Sequence, residues 1–139
     1  MPRVVTGRFR GTILQAPEGD KTRPTTDKVK EALFSIIQSY VQDSEFLDLF
    51  AGSGQIGIEA LSRGAVFAVF IENDKNAQAC IEDNLAHTKF KPKTVLCKQD
   101  AFVSLQSLEY KYQFDVIFMD PPYDQELERR VLEYLIRQK

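Results

Sequence analysis

Asp120-Pro121-Pro122-Tyr123 follows the apolar run Phe114-Asp115-Val116-Ile117-Phe118-Met119 and is the stretch with the clearest chemical content. Two successive prolines lack backbone N–H groups and fix φ, so a strand reaching Met119 cannot continue through them and the chain must turn rigidly away. The turn offers the Asp120 carboxylate, the Pro121 carbonyl, the Pro122 ring and the aromatic face of Tyr123. A flat ring bearing an exocyclic amine suits that set, because it can stack on Tyr123 while the carboxylate and the carbonyl accept its two N–H bonds. Chemistry on a nucleobase is the expectation, against an ordinary strand-ending turn with a surface tyrosine.

A second set lies in Asp48-Leu49-Phe50-Ala51-Gly52-Ser53-Gly54-Gln55-Ile56-Gly57, where Gly52, Gly54 and Gly57 have GxGxxG spacing. Alone, the spacing serves a dinucleotide pyrophosphate or an adenosyl cofactor, since both need a tight turn and close approach to backbone. Asp48 separates the two. A carboxylate just ahead of the loop repels a pyrophosphate but favours the ammonium and the sulfonium of S-adenosylmethionine. Phe50, Ala51 and Ser53 complete the candidate loop. Glu72, beside Asn73, stands at the end of the next expected strand, where a carboxylate can accept both ribose hydroxyl protons. Asp100-Ala101 follows the third, where an acid can bond the adenine amine. Three strand ends and the proline turn thus converge on one crevice, with an NAD-dependent oxidoreductase as the rival reading.

Those residues must be carried by a regular scaffold. Strands are expected at 46–50, 66–72, 94–98 and 114–119. They alternate with helices at 56–63 (stopped by Gly64), 74–86, near 102–108, and 125–138. Such alternation means a parallel α/β sheet covered on both faces. The run 114–119 reads as a strand buried on both faces. Ahead of the sheet, Val29, Ala32, Leu33, Ile36, Ile37 and Tyr40 recur at helical spacing after a cap at Thr25 or Thr26 and Asp27, so this helix should pack one face on the domain. Residues 2–17 read as a short β-hairpin and 17–20 as a loop. The division is an N-terminal basic β arm over 1–24 and one catalytic domain over 25–139.

With 139 residues and 43% hydrophobic content the chain can build one core. His87 is the single histidine, and Cys80 and Cys97 are isolated, so neither a zinc site nor a disulfide framework has its ligands. No apolar run approaches the roughly 20 residues of a membrane span and no signal-peptide core is present, which points to the cytoplasm. The net charge of −2 conceals a division: residues 1–30 hold seven Lys/Arg against three Asp/Glu, and residues 31–139 hold eleven against seventeen. Arg3, Arg8, Arg10, Lys21, Arg23, Lys28 and Lys30 are therefore the candidate phosphate-contacting set, against a merely solvated face.

Taken in order, the adenosyl loop, Glu72 and the proline turn make the chain similar to class I amino-methyltransferases that act on exocyclic nitrogens of bases. Gly7-Arg8-Phe9-Arg10-Gly11 and Arg23-Pro24-Thr25-Thr26-Asp27-Lys28-Val29-Lys30-Glu31-Ala32-Leu33-Phe34 resemble signatures of the bacterial 16S rRNA guanine-N2 methyltransferase family, and the resemblance covers the whole chain. It implies a Rossmann-like fold with S-adenosylmethionine as cofactor and no metal. It further implies methyl transfer to the 2-amino group of one guanine on an assembling small ribosomal subunit. Asp120, Pro121, Pro122 and Tyr123 would form the catalytic turn, and Arg8, Arg10 and Arg23 would lie on RNA. Three further strands are usual in such proteins, so the sheet is expected to lack its last strands and to leave 114–119 as an open edge in the order 3-2-1-4. A non-catalytic adenosyl- or RNA-binding fragment, or an amino-methyltransferase for adenine or cytosine in DNA or RNA, are the remaining alternatives.

Overall fold

The computed structural model describes residues 2–16, 27–108, 111–119 and 125–137. Its centre is a parallel sheet of β1 (Glu45–Leu49), β2 (Phe67–Ile71), β3 (Thr94–Cys97) and β4 (Val116–Met119) in the order β3-β2-β1-β4; the alternation of elements predicts the parallel sheet, and the resemblance implies this order. The register sets Leu49 opposite Ile71 and Met119, and Ile71 opposite Cys97, so the four strands end at one level. After helix α1 (Asp27–Val41), each strand feeds a helix: α2 (Gln55–Ser62), α3 (Lys75–Thr88), α4 (Ala101–Leu108) and α5 (Gln125–Arg137). No helix among the described residues is long and apolar enough to cross a membrane.

Alternate residues of the strands point to opposite faces. Phe46, Ala68 and Phe70 join one core cluster with residues of α1, α2 and α3, while Leu47, Leu49, Val69 and Ile71 join a second with residues of α4 and α5. Burial on both sides is why β1 and β2 read as continuous apolar runs. The same reading fails for β4. Ile117 is 40% exposed and its neighbours are only half-buried, because an edge strand has a packed neighbour on one flank alone and the covering helices do not close over Ile117.

The face of α1 also differs from the expectation. Its buried stripe is Lys30, Phe34 and Val41, with Leu33 and Ile37 partly covered, whereas Val29, Ile36 (78% exposed) and Tyr40 (68% exposed) face outward. Apolar residues spread around much of this helix, so more than one rotation was compatible with the spacing. The observed one stacks Phe34 on Phe46, with ring centroids 6.4 Å apart, and draws Lys30 into the interior.

Residues 2–16 fold back as an antiparallel hairpin through an Arg3–Ile13 bridge, and Val4 and Leu14 are buried in the first cluster. At the tip, Gly7 has φ +97°, and a Cβ there would lie 2.0 Å from the Ser62 carbonyl oxygen, so no other residue fits without moving backbone. Beneath the hairpin sits a buried polar cluster. Fully buried Glu59 accepts hydrogen bonds from the Val5 and Thr6 amides at 2.8 and 3.0 Å and from Arg63 Nε at 2.8 Å. Lys30 Nζ donates to the Arg3 carbonyl at 2.6 Å and to Gln55 Oε1 at 2.9 Å and lies 4.0 Å from Glu59. Burial pushes the Lys30 amine below its ordinary pKa, with Glu59 and then Asp27 acting against that. Lys30 therefore leaves the phosphate-contacting set, and Arg3 is engaged by Asp27 at 2.5 Å.

Candidate active site

The rim where the strands end carries the glycine loop. Phe50, Gly52 and Gly54 all have positive φ, at 62°, 60° and 80°. For phenylalanine that conformation is strained and has to be held by its surroundings. The Ala51 amide donates to the Ile71 carbonyl at 3.0 Å and the Gly54 amide to the Ala51 carbonyl at 2.8 Å. A Cβ on Gly52 would meet nothing within 4 Å, so this backbone faces open space. Gly57 answers to a different requirement, since a Cβ there would lie 2.3 Å from the Phe70 ring.

Asp48 lies under the loop and is 1% exposed, with Oδ2 accepting the Gly57 amide at 3.0 Å. The helix it touches begins with Gly54 as N-cap, which has no side chain to cap with. Asp48, six residues before that cap, satisfies an orphan amide of the first turn and places a negative charge at the positive end of the helix dipole.

Glu72 is partly buried at the end of β2, and its two oxygens take different partners: Oε1 accepts the Gly52 amide at 2.8 Å and Oε2 the Asp74 amide at 2.9 Å. It thereby ties the glycine loop to the start of α3, which Asp74 caps by accepting the Ala77 amide. Asn73 is exposed beside it. Asp100, exposed at the end of β3, uses Oδ1 for the Phe102 amide at 2.9 Å and the Val103 amide at 3.4 Å, and buried Ala101 opens α4. Cys97 ends β3 between them, and burial pushes its thiol above the ordinary pKa, which keeps it protonated and inert. Among the described residues no cluster of His, Cys, Asp and Glu could hold a metal ion.

Three polar side chains that the sequence reading did not single out hold this rim or anchor the hairpin to the domain. Gln78 Nε2 donates to the Glu72 carbonyl at 2.8 Å and the Lys98 carbonyl at 3.2 Å, joining the ends of β2 and β3. Asn84 Nδ2 donates to the carbonyls of Ser53 and Gln15, and its Oδ1 accepts the Gln15 amide, so one side chain links loop and hairpin. Glu59 does the same service for the hairpin from α2. The available signal was positional: Gln78, Ile81, Asn84, Leu85 and Thr88 form one buried stripe on α3, and a polar residue within such a stripe must find partners.

Phe50, Ala51, Gly52, Ser53, Gly54, Glu72, Asn73, Asp100 and Ala101 are thus gathered at one rim, with Asp48 below it. Arg8 and Arg10 are not. The Arg8 amide donates to the carbonyl of Ser62, the last residue of α2, which places the hairpin tip at the opposite rim, where the strands begin. Asp120, Pro121, Pro122, Tyr123, Arg23, Lys21 and the Thr25–Thr26 cap lie outside the described residues. The open space over Gly52, with carboxylates at the ends of the next two strands, fits a ligand that offers hydroxyls and an amine and disfavours a pyrophosphate.

The architecture is that of a Rossmann-like class I methyltransferase. Ribosomal RNA small subunit methyltransferase D of Haemophilus influenzae is 37% identical over 134 residues, which cover 96% of this chain and 69% of that protein. The protein of the same name from Escherichia coli K12 is 34% identical over 134 residues, 96% of this chain and 66% of its own length. A solved structure of a hypothetical protein from Thermus thermophilus superposes with a TM-score of 0.85 at 31% identity, over 98% of this chain and 78% of that one. Residues 2–139 match the family described as conserved hypothetical protein 95, and the chain belongs to that family.

Proposed function

We propose that this chain binds S-adenosylmethionine at the rim where the strands end and methylates the exocyclic 2-amino group of a guanine in 16S rRNA. The observation that carries the reading is the open Gly52 cradle held by Glu72, with Asp100 at the next strand end, in a chain whose relatives are named for small-subunit rRNA methylation. Glu72 would accept the ribose hydroxyl protons and Asp100 the adenine amine, with Asn73 and Ala101 beside them. The charge of Asp48 beneath the loop would favour a cation above it. Bound S-adenosylmethionine supplies a methyl group on a positively charged sulfur.

The chain's own contribution is to make a poor nucleophile attack. The guanine 2-amino lone pair is delocalised into the ring. Asp120 and the Pro121 carbonyl, by accepting hydrogen bonds from its two N–H groups, would favour the pyramidal nitrogen, and the Asp120 carboxylate would take the one proton lost on methylation. Stacking on Tyr123, worth roughly 1–3 kcal/mol per base, holds a guanine that has left its own helix. Orientation of the reactants supplies much of the rate. Arg8, Arg10 and Arg23 would contact RNA phosphates, and the substrate would be the assembling small subunit in the cytoplasm. The test is transfer of a labelled methyl group to small subunits lacking the modification, beside naked 16S rRNA and DNA. Label on a guanine of the subunit RNA is the expected result. Label on adenine or cytosine, or cofactor binding with no transfer, would overturn the reading.

A further inference from the structure

The hairpin tip meets the turn between α3 and β3 at the rim where the strands begin. The Phe9 and Phe90 rings pack edge to face with centroids 4.8 Å apart, and Phe90 is 3% exposed. Around this contact stand Arg8 and Arg10 from the tip and Lys89, Lys91 and Lys93 from the turn, all five exposed. Among the described residues none of the five is in an ion pair. Glu82, the carboxylate that feels Lys91, is already held by Lys98 at 2.6 Å, which keeps its carboxyl below the usual pKa. Among the described residues, Asp43, Glu45 and Asp115 at this rim belong to the β1–β4 half of the sheet, away from the α3–β3 turn.

The backbone that presents these cations is fixed. The Arg8 amide donates to the Ser62 carbonyl at 2.9 Å and the Phe9 amide to Ser62 Oγ at 3.0 Å. The Lys93 amide donates to the Phe90 carbonyl at 2.8 Å, and a 3-10 turn over Lys91–Lys93 follows. Phe90 is buried, and the half-buried Phe9 ring packs on it with the Arg8 guanidinium over it at 5.5 Å, so the surface suits phosphates better than bases.

We propose that the hairpin tip and the 89–93 turn form one phosphate-binding surface for a double-helical segment of the RNA substrate, remote from the base in the crevice. It rests on the rRNA reading of the site. The eight residues of α2 separate the two rims, a rise of about 12 Å. An RNA touching both therefore spans several nucleotides, and a folded substrate is selected over a short single strand.

The test compares the 139-residue chain with a Lys89→Ala/Lys91→Ala/Lys93→Ala triple variant and an Arg8→Ala/Arg10→Ala double variant. Binding is measured to unmodified small subunits and to a plain RNA duplex across a salt series. The triple variant should lose about tenfold or more in affinity, and its slope of log affinity against log salt should fall by roughly 2 to 3. The double variant should lose about 1 to 2 of the same slope, while S-adenosylmethionine affinity stays in place in both. A triple variant with the wild-type slope would overturn the shared surface even if methyl transfer is intact. A wild-type chain that binds duplex RNA with this lysine-dependent slope but transfers no methyl group would support the surface and remove the enzymatic reading.

Discussion

Where the strands end, Glu72 and Asp100 line open space and each already gives an oxygen to a backbone amide; where they begin, beside the hairpin, five cations have no ionic partner among the described residues. The carboxylates are pre-set by the loops they hold, which suits a small ligand that must sit in one orientation. The cations are exposed, with Arg8 over the Phe9 ring, which suits a polyanion that binds through counterion release. A net charge of −2 thus averages over two rims with opposite tasks, and it says little about either.

The sharpest way to break this division is Asp120→Ala. Turnover should fall on the order of a hundredfold or more, while RNA and cofactor affinities hold; equal losses in all three would take Asp120 out of the reacting centre. Next comes Glu59→Ala, which would leave Lys30 buried without its counter-charge and two hairpin amides unpaired. Unfolding experiments should register a loss of about 3 kcal/mol, and proteases should cut first within residues 2–16. A variant that melts like the parent would mean that Val4, Leu14 and the Ser62 and Asn84 hydrogen bonds anchor the hairpin without Glu59.

Glu72→Ala should weaken S-adenosylmethionine about tenfold by calorimetry, since it removes a ligand acceptor and frees the Gly52 amide. Its RNA salt slope should match the parent. A change in that slope would show that the two rims are not independent. The smallest effect is expected from Lys30→Met. Because the folded state lowers the Lys30 pKa, the unfolded chain binds the proton more tightly, and stability should rise with pH through the interval leading up to 10.5. The variant should lack that rise. An identical alkaline profile in both proteins would assign it to other groups.

The sheet and the glycine loop were legible because each rests on a local pattern: apolar runs of strand length, helices between them, and glycines at a turn; the strand order came from the family resemblance and not from any local pattern. What was hidden depends on rotation and on long-range partners. Nothing local marks Lys30 as buried, since its acceptors are Arg3 and Gln55, and the outward face of α1 follows from that one placement. Arg8 and Arg10 were singled out as candidate phosphate contacts and are exposed, yet only the docking of the hairpin on Ser62 puts them at the far rim. Lys89, Lys91 and Lys93 passed unnoticed because they sit in the acidic part of the sequence and join the arginines only through Phe9 and Phe90. Asp48 was recognised as a carboxylate ahead of the loop, but its service as a remote cap for α2 needed the register of β1 against Gly57.

The three glycines of the loop motif also obey two different kinds of selection. Gly52 and Gly54 are favoured by backbone handedness, because a side chain at either position is strained whatever space surrounds it. Gly57 is fixed by the volume of a neighbour, the Phe70 ring. Positions 57 and 70 should therefore covary among sequences of this fold, an alanine at one accompanying a smaller residue at the other, whereas positions 52 and 54 should stay glycine whatever their neighbours do. A search that treats all three as one cofactor fingerprint would discard true members in which that pair has exchanged bulk.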